Sequence, residues 1–343
     1  MREAMLYEKL PGGSVRCQLC QFRCRLIPGK RGVCRARVNR DGTLETLVYG
    51  LVSSAGADPI EKKPLFHFYP GTRVFSLGGW GCNFRCLHCQ NDSIAYANAD
   101  GREARSGDVM SADDSVRLAG RHGCQGISWT YNEPTIWFEF TYDSARAAKA
   151  KGLYTVYVTN GFMTPEALDT IGPYLDAWRV DVKGASKDFY RRLARVSDPA
   201  GILEVAVRAK QRWGMHVEVV TNVIPGWNDD DEQLESIARW MLKELGELTP
   251  WHVTAFHPSA QMMNVPATPV STLERAAAIG AREGLKFVYL GNVPGHPAEN
   301  THCYSCGHTN IQRRGYSVRL AEVTTEGRCS HCGADLNIRG VVA

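Results

Sequence analysis

The sequence predicts an α/β protein built on parallel strands, either doubly wound or wrapped as a TIM-like barrel, with a small cysteine-rich module at each end. Three observations carry this. Between residues 71 and 297, β-branched and aromatic runs alternate with helical periodicity in units of about 25–40 residues. The twelve cysteines fall in clusters at the two ends and at the start of that zone, with only Cys124 alone, which is expected in the core. Hydrophobic residues make up 44% of the 343 residues and charged ones 22%, enough apolar material for one large core and far from a disordered composition.

Residues 1–42 read as a metal module that ends in the turn-like Asn39-Arg40-Asp41-Gly42. Cys17, Cys20, Cys24 and Cys34 offer four thiolates; their spacing leaves zinc and an additional iron–sulfur cluster both open, with zinc preferred. From Arg16 to Arg40 the chain carries eight basic residues and no acidic one. That run reads as a solvated face that also neutralises thiolates, with an acidic partner or RNA as the sharper alternative. Residues 43–70 are an extended lead-in.

The central zone, 71–297, holds seven candidate strands, starting at Val74, Gly126, Tyr154, Ala177, His216, Trp251 and Lys286. Helical segments are expected over Ser111–His122, Trp137–Lys151, Thr164–Leu175, Leu203–Trp213, Asp229–Leu245 and Ser271–Glu283. Thr164-Pro165-Glu166 and the acidic Asp229-Asp230-Asp231 are helix-start signals. Residues 298–343 return to cysteine pairs: Cys303-x2-Cys306 and Cys329-x2-Cys332, close to a zinc-ribbon pattern, with a strand-like run from Tyr316 to Thr324 between them.

In both architectures ligands bind at the carboxyl ends of parallel strands. Just past the candidate strands come three cysteines, Asn132-Glu133-Pro134, Thr159-Asn160-Gly161, Asp181 and Lys183, Pro225-Gly226-Trp227-Asn228, His257 and Asn292. The three cysteines, Cys82, Cys86 and Cys89, are the sharpest signal. Four thiolates close a cubane iron–sulfur cluster; three leave one iron open, as catalysis requires. A zinc knuckle completed by a distant ligand is the alternative.

Cys82-x3-Cys86-x2-Cys89 resembles the signature of the radical S-adenosylmethionine (SAM) superfamily, although His88 stands where Phe or Tyr is usual before the last cysteine. The resemblance implies a partial (β/α)6 barrel in which a [4Fe-4S] cluster holds SAM. Cleavage of SAM would yield a 5′-deoxyadenosyl radical that abstracts hydrogen. Thr130–Pro134 is similar to the segment that holds the amino group of SAM, which assigns Glu133 to it. Val158–Phe162, Asp181–Lys183 and Val223–Asp231 look like elements of the pyruvate formate-lyase-activating enzymes. That carry-over puts Thr159, Asn160, Asp181 and Lys183 in the SAM pocket, and makes His257 either a contact of SAM or substrate or an ordinary rim residue. With its terminal modules and the lead-in Ala57–Gly71, the chain most resembles the radical SAM component of the AmmeMemoRadiSam system. That implies Memo-like and AMME-domain partners and an electron donor such as flavodoxin or ferredoxin. A glycyl-radical-enzyme activase and an RNA-modifying radical enzyme are the alternatives.

The first residues carry no secretory run and no stretch nears the roughly 20 apolar residues of a membrane span, so a cytoplasmic protein without membrane contact is expected. A net charge of +4 is too small to imply a nucleic-acid partner.

Overall fold

The computed structural model describes residues 2–97, 109–320 and 322–341. Ala321, inside the strand-like run of the last module, lies outside the described residues, as do 98–108 of the central zone. An eight-stranded sheet organises the chain: β1 (Ser54–Pro59), β2 (Arg73–Gly78), β3 (Gly126–Trp129), β4 (Tyr154–Thr159), β5 (Ala177–Asp181), β6 (His216–Val223), β7 (Trp251–Ala255) and β8 (Val288–Gly291). Each strand pairs with its neighbour in sequence. All pairs are parallel except β1 with β2, which is antiparallel. A strand order that never reverses excludes a doubly wound sheet, whose switch point requires a reversal, and leaves barrel-type winding. β1 and β8 stay unpaired at the edges, so the barrel is partial.

Among the described residues, six helices of seven or more residues lie in the connections: α1 (Ala112–Arg121), α2 (Phe138–Ala150), α3 (Pro165–Ile171), α4 (Ala200–Gln211), α5 (Asp231–Trp240) and α6 (Val270–Glu283). Their starts are chemically specified. Ser111 and Asp114 form a reciprocal capping box ahead of α1. Thr164 accepts from the amide of Ala167, with Pro165 at the first helical position, and Asp230 accepts from the amide of Gln233. The core between helices and sheet is dominated by large buried side chains, among them Trp129, Trp137, Trp178 and Trp251, and the lone Cys124 is buried within it.

Residues 2–46 form two small antiparallel sheets, one of Arg2–Glu3, Thr43–Thr46 and Arg37–Arg40, the other of Tyr7–Lys9, Val15–Cys17 and Arg25–Leu26. They dock on the outside of α2 and α3. Arg37 pairs with Glu139 of α2, both about 1% exposed, and Thr164 donates to the carbonyl of Gln18. At the other end of the chain, Thr301–His302, Thr309–Arg314 and Ser317–Leu320 make a three-stranded antiparallel sheet.

Residues Ile60–Tyr69 run along the sheet's inner face. The buried Glu218 of β6 accepts from the amides of Phe66 (3.0 Å) and His67 (2.8 Å), and from the Nε2 of His216 (2.9 Å) and of His252 (2.6 Å). Burial opposes the charge, but His216 and His252 outweigh it and hold this carboxyl well below its ordinary range. The last module locks the same segment: Arg313 donates to the carbonyl of Phe66, and Phe68 pairs with Arg339. No helix among the described residues is long and apolar enough to cross a membrane.

Candidate radical SAM site

The carboxyl ends of the parallel strands surround a cavity of about 730 Å³. Its wall repeats the two-residue period of strands: Val158 and Asn160; Arg179, Asp181 and Lys183; Val220 and Asn222; His252 and Thr254. Cys82, Cys86 and Cys89 line one side, on the loop that follows β2.

That loop is tied down on every flank. Gly81 turns it with a φ of +91°, a left-handed conformation that glycine adopts without strain. Asn132 donates to the carbonyl of Gly81 (2.8 Å), Arg85 to the carbonyl of Cys82 (2.7 Å) and Tyr96 to that of Cys86. Further along, Leu87 accepts from Gln261 (2.9 Å) and His88 from Ser259 (3.1 Å). The three thiols are therefore presented on a rigid support, the arrangement a preorganised centre needs. Burial pushes Cys86 up to about 12 and raises Cys82 and Cys89 as well, so each would ionise only against a cation or metal. The His88 ring is buried beside them and, desolvated and near Lys183, is held down to about 3: it packs as a neutral ring.

Glu133 is about 1% exposed and carries three donors, Thr159 Oγ1 (2.7 Å), the amide of Thr135 (3.0 Å) and the amide of Asn160 (2.8 Å). Burial raises its pKa despite those bonds. Since a carboxylate has about four acceptor positions, one remains for a cationic ligand. Asp181 meets Arg179 (2.7 Å) and Lys183 (3.3 Å); burial opposes its charge, and those two cations win and hold it low. Lys183 is likewise raised, because Asp181 and Cys86 outweigh its desolvation. Asn228, from the Val223–Asp231 stretch, donates to the carbonyl of Lys183 (2.7 Å), which makes that stretch a brace for the Lys183 loop.

Of the residues singled out in the sequence, Cys82, Cys86, Cys89, Glu133, Asn160, Asp181 and Lys183 share this wall. Thr159 stands behind it, holding Glu133. His257 is exposed and lies off the wall; the residues of that strand turned inward are His252 and Thr254. Sequence reasoning passed over Arg179 and His252, which stepping back along β5 and β7 in twos would have found. It also passed over Lys62, Lys63, Gly315 and Tyr316, which come from outside the barrel strands. The buried Glu61 Oε2, His88 Nδ1 and Arg179 Nε have no partner within the protein, so this wall is built to receive a polar ligand.

Residues 79–240 match the family model of the Radical SAM superfamily. The chain belongs to the radical SAM superfamily. An uncharacterized protein of Methanocaldococcus jannaschii is 43% identical to it over 340 residues, 98% of this chain and 99% of that one. The pyruvate formate-lyase-activating enzyme of Streptococcus mutans is 27% identical over 200 residues, 55% of this chain and 72% of the enzyme. An isethionate sulfite-lyase activating enzyme of Nitratidesulfovibrio vulgaris is 26% identical over 148 residues, 42% of this chain and 48% of that one. A radical SAM methyltransferase from Sphaerobacter thermophilus aligns at a TM-score of 0.49 and 17% identity, over 65% of this chain and 67% of that one. This radical SAM enzyme is thus similar to activating enzymes, and the superfamily carries a [4Fe-4S] cluster and SAM. The free thiols of Cys82, Cys86 and Cys89 and the unpartnered polar atoms around them fit both groups.

The terminal cysteine sets differ in geometry. Cys303, Cys306, Cys329 and Cys332 gather their sulfurs within 4.8 Å of one another, a metal site in waiting. Cys17, Cys20, Cys24 and Cys34 surround a separate small cavity on the outer side of the barrel.

Proposed function

We propose that the cavity binds SAM against the three-cysteine cluster and presents a small substrate, or a narrow portion of a larger one, to the radical formed there. The carrying observation is that the three cysteines of one loop, Glu133 and the Asp181–Lys183 pair line one cavity. When bound, the cluster supplies the electron that cleaves SAM to methionine and the 5′-deoxyadenosyl radical. Glu133, braced by Thr159, holds the ammonium of SAM through a charge-assisted hydrogen bond. Lys183, kept charged by Asp181, meets a carboxylate. Lys62, Lys63, Gly315 and Tyr316 line the cavity from outside the barrel strands, and the arch we infer from them would limit water there, as a primary carbon radical requires.

The closed geometry of the last module supports zinc there. The two terminal modules around one barrel support membership of the AmmeMemoRadiSam system, with Memo-like and AMME-domain proteins as the partners it would take.

Anaerobically loaded protein given SAM and a low-potential reductant is expected to release 5′-deoxyadenosine, measured by mass spectrometry, and Cys82→Ala is expected to release none. Glu133→Gln is expected to weaken SAM binding by at least about tenfold, in line with a lost charged hydrogen bond of roughly 1.5–3 kcal/mol. Release of 5′-deoxyadenosine by Cys82→Ala, or none from the unaltered protein, would count against the assignment.

A further inference from the structure

The first module invites comparison with the last. One zinc ion holds its sulfurs at about 2.3 Å, so neighbouring sulfurs of its tetrahedron stand about 3.8 Å apart. The C-terminal thiols meet that: Cys303 to Cys332 is 3.5 Å and Cys306 to Cys329 is 3.7 Å. Among the described residues, only that group brings three or more ligand atoms within 4.8 Å of one another. Cys17, Cys20, Cys24 and Cys34 do not close to that distance; they line a small space shared with Leu19, Leu26, Ile136 and Arg37. A cube of four irons and four sulfides spreads its thiolates wider than a single ion does, and takes four of them when no position is left open.

A second observation concerns charge. Arg37 lines the same space, about 1% exposed, with Nη1 donating toward the sulfur of Cys17 at 3.5 Å and Nε without any partner. Glu139 and the carbonyl of Met5 (2.8 Å) fix its orientation. A buried cation placed on the cavity wall offsets the net negative charge that four thiolates bring to a cluster.

The module's place in the fold gives this centre a task. Cys20 bridges to Met163, next to Phe162. The ring of Phe22 lies 5.0 Å from that of Phe162, and Phe162 lies 5.3 Å from Phe84, inside the three-cysteine loop. Asn160 links the same loops, donating to Asn83 at 2.8 Å. One packed path of three aromatic rings thus joins the two thiol sets. On the outer side Arg25, Lys30, Arg31 and Arg35 are exposed, with no carboxylate bound to them among the described residues, a face suited to an acidic redox protein.

We propose that the N-terminal module binds an iron–sulfur cluster through Cys17, Cys20, Cys24 and Cys34, and that this centre relays electrons to the three-cysteine cluster. The sequence preference for zinc at this module is revised on geometry. In the relay an acidic one-electron donor of the flavodoxin or ferredoxin class is oxidised by one electron and the N-terminal cluster reduced by one. That cluster then returns to its oxidised state as the three-cysteine cluster gains the electron. The relay rests on the reading of the cavity as the SAM site; the identity of the metal centre does not.

A full-length chain carrying Cys82→Ala, Cys86→Ala and Cys89→Ala, reconstituted anaerobically, separates the two. It is expected to retain about four irons and four sulfides per chain beside one zinc, with the absorption and paramagnetic signal of a reducible cluster. Two zinc ions and no iron would overturn the cluster. For the relay, the rate at which reduced flavodoxin reduces the three-cysteine cluster is followed by stopped-flow absorption in Cys20→Ala, without SAM. A drop of at least tenfold is expected, and an unchanged rate in folded protein overturns it. Should Cys20→Ala not fold, Phe22→Leu, which keeps all four thiols, is expected to slow the same reduction, and an unchanged rate there overturns the relay equally.

Discussion

The buried charges of this protein are held by donors rather than by water, and the sign of each shift follows from that. Glu218 stays ionised under four hydrogen bonds. His67 nearby is the opposite case: buried, with Nδ1 against the carbonyl of Leu336 and Nε2 against Tyr289, it is held down to about 3, mainly by desolvation. A histidine whose folded pKa is lowered stays neutral in the folded state while the unfolded chain takes up a proton. Its contribution is full above about pH 6.5 and is lost as pH falls toward 3. The unfolding free energy measured with urea should therefore drop over that window, by up to about 1.4 kcal/mol per pH unit from this residue. His67→Gln should flatten that part of the profile; identical slopes in the two proteins would remove His67 as the cause. None of this was legible in the sequence, where His67 is one polar residue in Phe66-His67-Phe68. The three cysteines and Glu133 were legible because their spacing and place after strands carry chemistry. Thr159 was read as a cavity residue, whereas its side chain turns to Glu133 behind the wall, a distinction that residue type cannot make.

At the level of elements, strands rich in β-branched and aromatic residues announced themselves, and all seven parallel strands lie within two residues of where the sequence starts them. β1 is the exception in kind. Ser54-Ala55-Gly56-Ala57-Asp58-Pro59 was read as extended, but nothing in its small side chains says that it joins the sheet; pairing along the whole of β2 decides that. Helix α4 begins at Ala200, three residues before the expected start at Leu203, because Asp198 accepts from the amide of Ala200 and opens the turn early. The turn after β4 shows how tightly an element end is specified. Gly161 has a φ of +73°, and a side chain there would meet Ile202 and Val180, each at 2.9 Å. Gly161→Ala combines a left-handed alanine, about 1–2 kcal/mol, with overpacking, about 1–3 kcal/mol. A loss of stability in that range by chemical denaturation is expected, with weaker SAM binding because Thr159 and the amide of Asn160, beside this turn, hold Glu133. A loss below 0.5 kcal/mol would mean that the loop rearranges freely.

At the scale of the molecule, the two ends of the chain do different work around one barrel. Gly315 and Tyr316 reach the cavity mouth, and Arg313 of the same sheet sits over Phe66 at 4.2 Å. Contacts between residues some 250 positions apart leave no trace in local pattern, which is why the last module read only as a metal ribbon. Replacing the two exposed thiols, Cys306→Ala with Cys332→Ala, is expected to cost one zinc per chain and to loosen that arch. The iron–sulfur chromophore should then bleach several-fold faster in air, followed by visible absorption. An unchanged bleaching rate with the zinc gone would separate the module from the site's protection.

The bridge between Phe68 and Arg339 has a consequence for biosynthesis. Loop closure over so many residues is slow, and it has to wait until Arg339 has left the ribosome. Until then the Ile60–Tyr69 segment is not clamped, and the barrel interior stays reachable. That interval is when a delivery scaffold could hand over an iron centre, before the polypeptide seals its own entrance.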